Sequence, residues 1–244
     1  MQSWGLGFLA DKKIEILKEL EIKKKNEPNF RIIDIGGAKE KHYLDKFKFI
    51  DYVVDINKAN TIEKNIVNII GNINEESTFS LIEKNVKKYG KFDYCICTHT
   101  LEDIRNPQLV LKNLSNISKS GLISFPSKYL ELSRFEKPFL FRGFHHHRWI
   151  FTIKNNKVVA IPKTNMIEHK IFNKIENKYH DSIGELFIEW EQEIDFETLN
   201  NDYLGPTHLE IFKLIKDTLL NSDEDRLINK PPFLYKSKYF KQYK

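Results

Sequence analysis

Arg31-Ile32-Ile33-Asp34-Ile35-Gly36-Gly37 is a short apolar run that meets an acid and then two glycines. A strand buried on both faces reads as a near-continuous apolar run. Glycine directly after it lets the backbone turn tightly and approach a ligand with no Cβ in the way. Downstream, Tyr52-Val53-Val54-Asp55 repeats the pattern of an apolar strand closed by a carboxylate. Its acid follows Asp34 at about the 20-residue offset at which open α/β sheets set a carboxylate against ribose hydroxyls. Phe92-Asp93-Tyr94-Cys95-Ile96-Cys97 then runs into Thr98-His99-Thr100-Leu101-Glu102-Asp103-Ile104, with Asn106-Pro107 as cap and first residue of a helix. Gly121-Leu122-Ile123-Ser124-Phe125-Pro126 is the next strand. Apolar positions Phe79, Ile82 and Val86 before a Gly90 stop, and Val110, Leu114 and Ile117, supply the intervening helices.

Over residues 29–127 these motifs, in order and spacing, resemble those of the class I S-adenosylmethionine-dependent methyltransferases. The resemblance is carried by Asp34-Ile35-Gly36-Gly37, the acid Asp55 ending the second strand, "FDYCICTHTLEDIRNP" and "GLISFPS". Two positions depart from the family pattern. Ala38-Lys39 follow Gly37 where a third glycine is frequent, and Leu101-Glu102-Asp103 stands where Leu-Glu-His is common. A NAD site is disfavoured, since Gly-x-Gly-x-x-Gly lacks its last glycine here. The resemblance implies an α/β fold: a Rossmann-like seven-stranded sheet with helices on both faces, an N-terminal helix and C-terminal helical additions. It also implies S-adenosylmethionine as cofactor. Gly36 and Gly37 would lie against its methionine portion, Asp34 at the ammonium, and Asp55 beside Ile56 at the ribose hydroxyls. Asn72 and Ile73 would meet the adenine, and His99 the reacting methyl.

Hydrophobic residues make up 41% and charged residues 30% of 244 positions, an ordinary globular balance. No apolar run approaches the ~20 residues a membrane-crossing helix needs, and no signal-peptide pattern opens the chain, so a cytoplasmic protein is expected. The net charge of +5 is spread among glutamates, which favours a small anionic substrate over a long nucleic acid. Cys95 and Cys97, at i and i+2 of a strand, point to opposite faces and read as small buried apolar residues rather than a disulfide.

Asp11 caps a helix through Ile22, with Trp4 and Phe8 before it as either a lid or sheet-edge packing. Residues 128–148 have no clean period and read as an insertion around the active site. Residues 148–153 and 157–161 flank Lys154-Asn155-Asn156 as a hairpin, expected to be the sixth and seventh strands of the sheet. Residues 182–193 and 207–220 read as helices, the second with a capping box, Thr207-x-x-Glu210. The domain expectation is 1–28 as N-terminal helix or lid, 29–168 as core and 169–244 as helical extension.

Within the insertion stands Phe141-Arg142-Gly143-Phe144-His145-His146-His147-Arg148-Trp149. If extended, it puts His145 and His147 on one face. Two imidazoles there suit a general base, a substrate contact, a divalent metal or an aromatic-packed loop. Arg134, Arg142 and Arg148 suit paired recognition of a carboxylate or phosphate. The expected activity is transfer of a methyl group to an oxygen of a small anionic acceptor. A sugar or a phosphorylated or nucleotide-linked precursor of surface polysaccharide is the class implied. His145 or His147 is the first choice of base and His99 the next. A protein that binds the cofactor without turnover and an RNA methyltransferase are the rival readings, and a homodimer is left open.

Overall fold

The structure is a computed structural model, and it describes residues 1–37, 49–58, 66–199 and 208–228. Ala38-Lys39, Thr207 of the expected capping box and the tail from Lys230 lie outside the described residues. The chain divides into two compact units. The first comprises Met1–Ser3, Lys13–Ser124 and Ile188–Ile194, and the second Trp4–Lys12, Phe125–Phe187 and Asp195–Lys244. Each of the three segments expected from sequence is thus shared between the two.

The seven-stranded sheet draws most of its residues from the first unit. Its strands are β1 (Gln2–Gly7), β2 (Ile32–Ile35), β3 (Tyr52–Asp55), β4 (Val67–Ile70), β5 (Tyr94–Thr98), β6 (Ser120–Pro126) and a late strand, Glu185–Glu191, in the order β1, late strand, β6, β5, β2, β3, β4. The pairs β2 with β3, β2 with β5, β3 with β4 and β5 with β6 are parallel. Ile32, Ile33 and Ile35 are fully buried, as the near-continuous apolar run requires. Helix α1 (Asp11–Asn26) buries Ile16, Leu17 and Leu20. Helix α2 (Glu76–Tyr89) buries Phe79 and Ile82 and ends at Gly90, whose φ of 82° only glycine adopts cheaply. Helix α3 (Pro107–Ile117) begins as expected, with the Asn106 side chain accepting from the Leu109 amide and Pro107 at the first turn. Chain order reverses between β2 and β5, the topological switch point where open parallel sheets take their ligands. This is the Rossmann-like class I methyltransferase fold.

One expectation is corrected here. The hairpin does form, from β7 (Trp149–Lys154) and β8 (Lys157–Pro162), around Asn155 and Asn156 with positive φ of 52° and 60°. It belongs, however, to a separate three-stranded sheet of the second unit, where β10 (Phe196–Thr198) pairs parallel with β8. The seven-stranded sheet is completed instead by β1 and by β9, the Glu185–Glu191 strand that had read as a helix. Leu186, Ile188 and Trp190 are buried, alternating with the less buried Phe187, Glu189 and Glu191. That is period 2, masked in the sequence by acidic residues that also suit helices.

The second unit has its own core. Tyr129 and Leu132 pack with Ile150, Val159 and Ile161 of the hairpin and with Ile211, Ile215 and Leu219 of the last helix, His208–Leu220.

Candidate functional site

At the carboxyl ends of β2, β3, β4 and β5 the first unit opens a cavity of about 340 Å³. Of the residues read from sequence as cofactor contacts, Gly36, Gly37, Asp55, Ile56, Asn72, Ile73 and His99 line it. A second cavity, of about 370 Å³, lies against Tyr94 and Ser120 at the amino ends of β5 and β6. Open sheets of this type do not place ligands there.

The first turn is built for close approach. Gly36 has φ of 86°, its amide donates to the Val54 carbonyl (2.8 Å), and a Cβ on it would overlap the Thr100 hydroxyl. A Cβ on Gly37 would overlap the Asp34 carboxylate. Asp34 is therefore one layer behind the cavity wall: it is 1% exposed and supports the turn rather than facing the opening.

Asp55 ends β3, and one carboxylate oxygen accepts from the Asn57 amide at 2.8 Å, which holds the group at the rim. Asn72 is engaged differently from what its position suggested. Its side-chain oxygen accepts from both the backbone and side-chain nitrogens of Asn74 (3.0 Å each), and its side-chain nitrogen donates to Glu75. It shapes the turn after β4 as an Asx turn, and Asn74 in turn accepts from the Asn106 amide at 2.9 Å. The apolar side chains on this side of the cavity are Ile56, 63% exposed, and the buried Ile73.

His99 follows β5 with φ of 49°, an uncommon conformation for a residue with a side chain, and its Nδ1 is 3.5 Å from a Glu102 carboxylate oxygen. The backbone is thus held in a sparsely populated region at the mouth of the cavity. Thr98 Oγ1, at the end of the same strand, is buried with no hydrogen-bond partner among the described residues. Cys95 and Cys97 are free and fully buried, and burial pushes both thiols well up, with the Asp34 charge adding to it; they are apolar filling.

Lys13 was missed by sequence reasoning. It lies on the buried face of α1, is 7% exposed and lines the cavity. A lysine at a position of otherwise apolar helical periodicity was the available signal, since lysine is almost never buried without a polar task. Asp103, Thr98 and Thr100 also line the cavity.

In the second unit the arginine and histidine cluster is largely satisfied internally. Arg142 is fully buried and donates to Glu176 (2.8 Å), to Asn173 and to the Leu132 carbonyl. Arg134 donates to Glu176 (2.9 Å) and Glu168 (3.0 Å). Arg142 has no side-chain surface left for an acceptor; among the three arginines only Arg148 is exposed. His147 Nδ1 lies 2.5 Å from Glu131, whose other oxygen accepts from Lys163 at 2.7 Å. The Glu131 carboxylate and Lys163 ammonium fill the space a Cβ on Gly143 would need. His145 is exposed, its Nδ1 3.5 Å from Glu136. The pair His145 and His147, read as a metal site, is thus drawn toward two different carboxylates.

The family model described as "Methionine biosynthesis protein MetW" matches residues 20–210. No curated protein matches the chain. Among solved structures, the chain is similar to the methyltransferase domain of bacterial CtHen1-C, with 13% identity, 73% of this chain and 97% of that one covered, and a TM-score of 0.40. The N-terminal domain of EvdMO1 with SAH bound matches at 11%, 72% and 80%, with a TM-score of 0.37. The plantazolicin methyltransferase BamL, in complex with a triazolic desmethylPZN analog and SAH, matches at 14%, 76% and 86%, with a TM-score of 0.39.

Proposed function

The chain belongs to the family described as Methionine biosynthesis protein MetW, and from that premise we propose that it is an S-adenosylmethionine-dependent methyltransferase whose donor site is the cavity at the carboxyl edge of the first unit. The observation that carries the reading is the convergence of a glycine turn, a strand-end carboxylate and a buried lysine on that one cavity. Each suits a different part of the donor. Asp55 offers two acceptors for a ribose diol. Ile56 and Ile73 offer apolar surface for adenine, while Asn72 keeps the turn in shape. Lys13 offers a cation for the methionine carboxylate, and the Gly36-Gly37 backbone can approach the amino-acid end without steric cost. The bound donor supplies an activated methyl group.

His99 is the proposed base on the acceptor side. It lines the cavity, Glu102 stands on its Nδ1 side, and imidazole is suited to taking a hydroxyl proton near neutral pH. His147, paired with Glu131, is the second choice. The acceptor is proposed to be a small molecule methylated on oxygen, in the class of sugars or phosphorylated or nucleotide-linked precursors of surface polysaccharide. With Arg134 and Arg142 committed to glutamates, Arg148 is the remaining arginine for an anionic group.

The test is transfer of a labelled methyl group to a panel of sugar phosphates and nucleotide sugars, each beside its neutral counterpart. His99→Ala is expected to lower kcat by about 10²–10⁴ with donor affinity retained, and His147→Ala by much less. The reverse ranking would move the base to His147. Donor binding with no transfer to any acceptor would favour a protein that binds without turnover, the reading that Leu101-Glu102-Asp103 leaves open.

A further inference from the structure

The loop between Ser133 and Gly143 in the second unit is rigid at its neck and apolar at its tip. Its neck is closed by the Gly143 amide donating to the Ser133 carbonyl at 2.7 Å and by the Arg142 amide donating to Glu168 at 2.8 Å. The buried Arg142 guanidinium and Arg134 lock it to Glu168 and Glu176. Beyond that neck every residue from Lys137 to Phe141 is exposed, and Phe139, Leu140 and Phe141 are 50%, 67% and 55% exposed. Phe139 has φ of 66°, a left-handed conformation that a bulky side chain adopts only at a cost. A buried charged neck therefore supports a strained turn whose effect is to place three large apolar side chains in solvent together. Exposed apolar patches of this kind mark interaction surfaces.

The size and charge of the tip decide the partner. Three side chains about half exposed offer roughly 300 Å² of apolar area, against about 800 Å² that each side of a stable protein interface buries. A bilayer makes no such demand, because it receives a projecting aromatic and leucine tip without shape complementarity. Between Ser133 and Arg148 the one acidic residue is Glu136, while Lys137 and Arg148 are exposed. Lys174, also exposed, stands on the short helix Asn173–Glu176 that supplies Asn173 and Glu176 to the neck, and the exposed Lys170 on the helical turn just before it. The carboxylates of Glu168 and Glu176 are neutralised by the two arginines. A cationic surround beneath an apolar tip matches an anionic headgroup layer.

We propose that Phe139, Leu140 and Phe141 form a peripheral membrane-docking tip that inserts into the headgroup region of a bilayer containing anionic lipid. The full chain should float with vesicles of phosphatidylcholine mixed with phosphatidylglycerol, and less with phosphatidylcholine alone. Leu140→Asp should weaken that binding by about tenfold or more, since it replaces an inserted leucine by a charge. Leu209→Asp is the matched control: Leu209 is also 67% exposed, on the last helix, and its substitution should leave binding unchanged. In Leu140→Trp the indole emission should shift to the blue on adding the anionic vesicles. The proposal is overturned if wild type stays unbound with both vesicles, or if the two aspartate variants bind alike. Concentration-dependent self-association abolished by Leu140→Asp, with no vesicle binding, would also overturn it and assign the tip to a second copy of the chain.

Discussion

Asp55 and Arg142 are both charged residues in motif-like contexts, and the two units use them in opposite ways. In the first unit Asp55 ends a strand at the rim of a cavity, one oxygen steadied by a backbone amide. In the second, Arg142 sits fully buried against Glu176, Asn173 and a backbone carbonyl, with Glu168 accepting from its amide. One charge is presented to solvent-accessible space and the other is consumed in holding a loop neck. The difference lies in the partners that the fold brings to each, which residue type and spacing do not reveal.

Substitution should separate the two roles. Arg142→Ala is expected to have the largest effect, on stability. It leaves Arg134 as the cation shared by Glu168 and Glu176, and because both carboxylates are about a quarter exposed the loss should fall at the low end for a broken buried pair, about 3 kcal/mol by denaturant unfolding. Near-wild-type stability would put Arg142 back among groups available to a ligand. Asp55→Ala should do the reverse: unfolding stays close to wild type, while donor affinity falls by about 1.5–3 kcal/mol, the scale for hydrogen bonds to a charged group. Loss of stability without loss of affinity would sink the distinction.

The parts legible in advance were those fixed by local sequence. The β2 turn, the Asn106-Pro107 cap, the Gly90 stop and the Asn155-Asn156 hairpin each depend on a few adjacent residues whose backbone preferences admit little choice. The strands completing the sheet did not. Gln2–Gly7 and Glu185–Glu191 are distant in the chain, and their places are set by long-range pairing and not by local pattern. The same holds in the site. Gly36, Gly37, Asp55, Ile56, Ile73 and His99 reach the cavity because strand ends must, whereas Lys13 is delivered by the packing of α1, and Asp34 is set back by the glycine beside it. The partners of Arg134, Arg142 and His147 come from 131–176 in three dimensions, beyond the reach of a motif.

A smaller effect concerns the buried end of the second unit. Lys128 Nζ lies 2.9 Å from Asp225 and 2.8 Å from the Leu219 carbonyl, and Lys178 also reaches Asp225 at 3.1 Å. Burial would raise the Asp225 carboxyl, but the two lysines outweigh it and hold it below its ordinary value. A depressed acid stabilises the fold above its unfolded value and loses that contribution as pH falls through the folded one. Wild type should therefore lose stability on acidification across and below the usual carboxylate range, and Asp225→Asn should flatten that part of the profile. An unchanged pH profile in the variant would remove Asp225 as its source. Smallest of all is Arg148→Ala, expected within about 0.5 kcal/mol of wild type in stability because the side chain is exposed. A larger drop would place Arg148 with Arg142 as a structural strut.

The central claim is that the cavity of the first unit is a donor site, and calorimetric titration of S-adenosylmethionine and of its demethylated product into the folded wild-type chain tests it most directly. One equivalent of each is expected to bind, with affinity reduced in Asp55→Ala and retained in Arg148→Ala. Absence of binding by both ligands to a protein whose folding is verified in the same sample would contradict it.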